Sequence, residues 1–125
     1  MSKKPTEKES TKLVDAIVKG IQEKKGNEIV VIDLRDIHNS VCDYFVICHG
    51  DSNTQVKAIA DFVEEETRKT IGEKPWHTEG QENSEWVLLD YVNVVTHVFH
   101  REAREFYSLE KLWADAPIQE IEYAV

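Results

Sequence analysis

One stretch constrains this chain more than any other: residues 85–100, Glu-Trp-Val-Leu-Leu-Asp-Tyr-Val-Asn-Val-Val-Thr-His-Val-Phe-His. Its β-branched and aromatic residues read as two strands joined by a tight connection. Within residues 86–90 both alternating sets of side chains are largely apolar. A sheet that holds this strand therefore needs cover on both faces, from its own helices or from a partner.

The other elements are placed around that hairpin. Residues 1–9 are polar and expected to be flexible. Ser10 or Thr11 can cap a first helix, with Leu13, Val14, Ile17, Val18 and Ile21 as its apolar stripe. Lys24 and Lys25 suit its C-terminal end, and Gly26 stops it. Residues 28–34 form a short apolar run, hence a buried strand; residues 35–43 are a polar loop, and residues 44–49 are a second strand closed by Gly50-Asp51. Ser52 and Gln55 stand at capping-box spacing at the start of the longest helix. Its core side is Val56, Ile59, Ala60, Val63 and Thr67, and Gly72 ends it. Residues 75–79 are a weak strand and residues 80–84 a turn. After His100 the pattern is helical, with Ala103, Phe106 and Tyr107 on one apolar face and Ser108 capping a turn that holds Leu109, Leu112 and Trp113. Pro117 prevents continuation, so residues 117–125 are expected to be a flexible tail. The order α-β-β-α-β-β-β-α predicts a single α+β domain over residues 10–116, with a mixed β-sheet and helices packed mainly on one face.

At 125 residues the chain can bury a real core without staples. Its net charge of −9 argues against tight binding to bare nucleic acid, whose affinity rests on Lys and Arg at phosphates. A basic protein suits such a surface better. The same charge also simply keeps a chain soluble, which is the commoner explanation, and composition does not choose between the two. Two cysteines are too few for a secreted disulfide framework, and no apolar run approaches the ~20 residues of a membrane helix. Residues 1–9 have no apolar core for export and carry acids that a transit peptide avoids, so the expected location is the cytoplasm.

Three constellations could carry chemistry. His38, Cys42, Cys48 and His49 are the right atoms for zinc, but consecutive strand residues Cys48 and His49 point to opposite faces. Cys42-Asp43 with a remote histidine would make a thiol nucleophile, yet nothing pins a base to it. Gly50-Asp51-Ser52 resembles the phosphate-holding turn of nucleotidyltransferases, whose chemistry also needs two carboxylates one residue apart on the next strand. Residues 86–90 supply only Asp90, so a capped helix start is the better reading. His97, in mid-strand, reads as a hydrogen-bonded core or interface residue. Trp86, Tyr91 and Trp113 read as core aromatics or interface anchors, and beside Asp90 and Glu79 they suit a basic partner. No catalytic, cofactor or metal residues are assigned.

Taken together, the segments Asp43-Tyr44-Phe45-Val46-Ile47-Cys48, Ser52 with Gln55, Ile59-Ala60-Asp61, Glu79-Gly80, Trp86-Val87-Leu88-Leu89-Asp90-Tyr91, His97-Val98-Phe99, Arg104-Glu105-Phe106-Tyr107 and Leu109-Glu110-Lys111-Leu112-Trp113 resemble the ribosomal silencing factor, or Iojap-like, family. The resemblance covers residues 10–116. It implies a nucleotidyltransferase-like fold without the catalytic carboxylates, and a regulator of translation rather than an enzyme. It further implies binding to the large ribosomal subunit through its basic protein uL14, which blocks small-subunit association. The recognition surface carries over to Trp86 with Leu88, Asp90 and Tyr91, and less strongly to Glu79, His97, Glu110 and Trp113. The alternative is a nucleotidyltransferase-like protein that binds nucleotide, and the apolar face could also pair two copies in a homodimer. One departure stands out. Where the family usually has Gly-Asp after residue 91, this chain has Val92-Asn93. Valine resists positive φ, so Asn93 is expected to take the left-handed position.

Overall fold

The computed structural model describes residues 6–37 and 40–121. Ten elements follow one another: α1 (Glu7–Glu23), β1 (Asn27–Asp33), β2 (Tyr44–Gly50), α2 (Asn53–Ile71), β3 (His77–Glu79), β4 (Trp86–Asp90), β5 (Val94–His100), α3 (Arg101–Tyr107), α4 (Leu109–Leu112) and β6 (Ile118–Glu120). The strands form one sheet in the order β3-β4-β5-β2-β1-β6. Its central pair, β2 and β5, is parallel and every other pair is antiparallel, so the sheet is mixed as expected.

α1 and α2 cover one face, packing Leu13, Ile17, Ile21, Val56, Ile59 and Val63 onto Val31, Val46, Cys48, Val87, Leu89 and Val98. A second, smaller core lies on the other face, where Val30, Ile32, Phe45, Ile47, Val95 and Phe99 meet Ala103, Leu109 and Trp113 from the short C-terminal helices. β2 and β5 are buried on both sides because each core takes one parity of their residues.

Three expectations are corrected. α1 begins at Glu7, not after Ser10. Thr6 is its cap and forms a capping box with Glu9, while Ser10 lies buried one turn in. There Ser10 Oγ donates to Asp43 Oδ2 and accepts from Asn93 Nδ2, tying the helix to the β4–β5 connection. At the other end, Ile118–Glu120 is not a loose tail but pairs with β1. Finally, the apolar face read in Ala103, Phe106 and Tyr107 is not packed as a unit, since Phe106 and Tyr107 are both exposed.

The start of α2 is the capped turn anticipated from Ser52. Its hydroxyl accepts from Gln55 N, and the Gln55 side chain reaches back to accept from Asp51 N. At Gly50 the chain passes close to the helix start, where a Cβ would stand 3.1 Å from Val56 N.

The β4–β5 connection differs from expectation as well. Val92, not Asn93, has positive φ, at 79°. Asp90 Oδ1 holds this turn by accepting from Val92 N at 2.7 Å. Asn93 is fixed elsewhere, its carbonyl accepting from Asp43 N and Tyr44 N.

Candidate functional site

β4 sorts its residues by parity. Val87 and Leu89 are buried under α1 and α2, whereas Trp86, Leu88 and Asp90 are half-buried on the opposite face. Register extends that second row in both directions. Glu79 of β3 stands opposite Leu88, and across β5 Trp86 faces Phe99, Leu88 faces His97 and Asp90 faces Val95. α3 and α4 cover this face only in part: α3 reaches Trp86 through Tyr107, while Leu88 and Asp90 stay half-buried and Glu79 exposed.

Trp86 is held from three directions. Its ring lies 4.8 Å from Phe99 and 4.8 Å from Tyr107, and its indole N–H donates to His97 Nδ1 at 3.1 Å. Because Nδ1 accepts, the neutral imidazole carries its proton on Nε2, which is buried with no partner among the described residues. Burial pushes the His97 pKa down to about 4, so the ring stays neutral near pH 7. Phe45 packs edge-on against the His97 ring at 4.7 Å, and Trp113 packs edge-on against Phe45 at 5.7 Å. The Trp86 indole is thus fixed in orientation by side chains of its own chain.

The structure separates the eight candidates. Trp86, Leu88, Asp90 and Glu79 share the open face, with Trp113 half-buried along its covered side. His97 is a buried support beneath Trp86 rather than a contact surface. Tyr91 has the parity of Val87 and Leu89. It is 5% exposed, lies in the core under the helices and bonds through its hydroxyl to Thr67 Oγ1 at 2.8 Å. Glu110 is paired with the buried Arg104, accepting from Nε at 2.9 Å and from Nη2 at 3.1 Å. Arg104 Nη1 in turn lies 2.9 Å from His49 Nδ1, and burial first, then that guanidinium, lowers the His49 pKa. Sequence reading missed Tyr107 as the wall of Trp86; the available signal was its place in Arg104-Glu105-Phe106-Tyr107, one of the segments that resemble the family.

The thiols sit in unreactive places. Burial raises both Cys42 and Cys48 to about 12, far from the thiolate a nucleophile needs. Cys48 lies in the core under the helices and His49 faces Arg104 on the other side; His38 lies outside the described residues. Among the described residues, no helix is long and apolar enough to cross a membrane.

Comparison with known proteins bears on the family and the fold. A family model described as "Ribosomal silencing factor during starvation" matches residues 7–124. The ribosomal silencing factor RsfS of Halalkalibacterium halodurans is 40% identical over 110 residues, 88% of this chain and 92% of the relative. That of Bacillus subtilis is 40% identical over 103 residues, 82% of this chain and 86% of the relative. A crystal structure of a Chromobacterium violaceum protein superposes with a TM-score of 0.80 at 32% identity, covering 94% of this chain and 93% of that one.

Proposed function

The chain belongs to the ribosomal silencing factor family, and from that premise we propose that it binds the large ribosomal subunit in the cytoplasm and keeps the small subunit from joining. The partner in this reading is uL14, a basic protein that meets the acidic open face of the sheet. One observation carries it: Trp86, locked by Phe99, Tyr107 and His97, stands half-buried on the sheet face that the long helices leave uncovered. Trp86 and Leu88 supply the desolvated apolar centre, with Asp90 and Glu79 meeting Lys or Arg at the rim. The mechanism is occlusion. No bond is made or broken, and no cofactor takes part.

The test is sucrose-gradient sedimentation with purified subunits. Wild-type protein is expected to co-migrate with large subunits and to reduce joined ribosomes when small subunits are added. Trp86→Glu is expected to keep its circular-dichroism spectrum and disappear from the large-subunit peak. A folded Trp86→Glu protein that still co-migrates normally overturns this surface assignment.

A further inference from the structure

Beyond Trp86, the open face ends in a cavity that sets Asp90, already a rim residue in the reading above, beside residues that reading does not use. This cavity, of about 350 Å³, is lined by Val41, Trp76, Asp90, Val92 and Val95. Its rim is unusually apolar for open surface, with Trp76 77% exposed, Val92 56% exposed and Val41 also exposed. Trp76 is tethered beside Asp90, its backbone N donating to Asp90 O at 2.7 Å.

The polar group in this cavity is a carboxylate without a cation. Asp90 accepts from Val92 N, and no Lys or Arg among the described residues pairs with it. His77, its register neighbour on β3, bonds to Glu79 instead. Val92 gives a second pointer. A β-branched residue is strained at φ 79°, where glycine is relaxed, and its side chain stands out at the cavity rim rather than in the core. An open indole, an uncompensated carboxylate and an aliphatic rim match the parts of a long cationic side chain. The valines fit its methylene stem, the ring face its cation and the carboxylate its N–H donors.

We propose that this cavity receives an arginine, or less favourably a lysine, from the same basic large-subunit protein that docks on Trp86. The inference rests on the ribosomal reading above. Asp90 lies four residues along β4 from Trp86, about 13 Å, well within one ordinary protein interface. Arginine is preferred because its planar guanidinium stacks on indole while donating to a carboxylate.

The test is equilibrium binding to purified large subunits at low and high salt, with Trp76→Ala, Asp90→Asn, their double variant, Val92→Gly and Trp86→Glu. The cavity variants alter exposed or half-buried positions, and Asp90→Asn keeps an oxygen for Val92 N–H; thermal unfolding checks each fold. Trp76→Ala and Asp90→Asn are each expected to weaken binding about tenfold. Their double variant should lose less than the product, because both hold one cation. Asp90→Asn should also flatten the salt dependence, and Val92→Gly should weaken binding about threefold. Cavity variants that bind like wild type, while Trp86→Glu does not bind, overturn the cavity and leave the ribosomal reading standing. Losses that simply multiply with an unchanged salt dependence overturn it too. Wild-type protein that fails to bind large subunits overturns both.

Discussion

Leu88 and Leu89 are neighbours of identical chemistry on β4, and the fold gives them opposite tasks. Leu89 is 1% exposed beneath α1 and α2, inside the larger core. Leu88 is half-buried on the other face, between Glu79 and His97, where the chain's own cover runs out. One face of the sheet has been closed by two long helices, the other only partly by two short ones. The lesson is that apolar residues on both parities of a strand announce two buried surfaces without saying that one chain supplies both.

The sharpest way to break this comparison is to put the same charge at both leucines. Leu89→Asp would bury an unpaired carboxylate and should abolish the cooperative thermal transition. Leu88→Asp should leave the melting curve within about 1 kcal/mol of wild type yet remove large-subunit binding. Equal destabilisation by the two would refute the assignment of closed and open faces.

The second prediction concerns acid and the open face. The His97 pKa falls from 6.5 to about 4 on folding, so the unfolded chain binds a proton that the folded chain refuses. The full contribution is therefore present above pH 6.5 and is lost as pH falls toward 4, a loss of about 3 kcal/mol. His49, also held down, acts in the same direction. Urea titrations at pH 7 and pH 4.5 would measure the slope. His97→Gln, which keeps an acceptor for the Trp86 indole, should flatten it relative to wild type, and an unchanged slope would count against the buried neutral ring.

Tyr91→Phe tests the closed face more gently. It removes the bond to Thr67, whose hydroxyl keeps its own bond to Glu64 O, and should cost about 1 kcal/mol in urea unfolding. Binding to large subunits should not change, and a clear loss there would return Tyr91 to the interface. The smallest effect belongs to Val92→Gly. Relief of about 1–2 kcal/mol of left-handed strain is partly offset by about 0.5–1 kcal/mol of added freedom in the unfolded chain. A net gain of roughly 0.5 kcal/mol in unfolding free energy, read from urea titration, is expected beside weaker binding.

Much of this was legible in the sequence for a plain reason. The β-branched runs of β1, β2 and β5 and the stripe of α2 are local patterns, and the mixed sheet follows from strands that succeed one another without helices. Parity also held the correction for Tyr91, since residues 87, 89 and 91 alternate together; adjacency to Asp90 in the family segments drew it to the wrong face. β6 was not readable, because Ile-Gln-Glu becomes a strand only when the edge of β1 offers it partners. Val92 was unreadable too. Asparagine is locally the cheaper left-handed residue, but Asn93 is claimed by Ser10, Asp43 and Tyr44 from distant parts of the chain.

The two ends of the sheet have a consequence of their own. β3 and β6 are three residues each, and they are the only borders that the described sheet offers to another strand. Borders so short, each ending in a glutamate, are poor templates for fibril growth or for capture of a peptide by backbone pairing. The recognition proposed for the open face would then rest on side chains, so its preference could be retuned one substitution at a time.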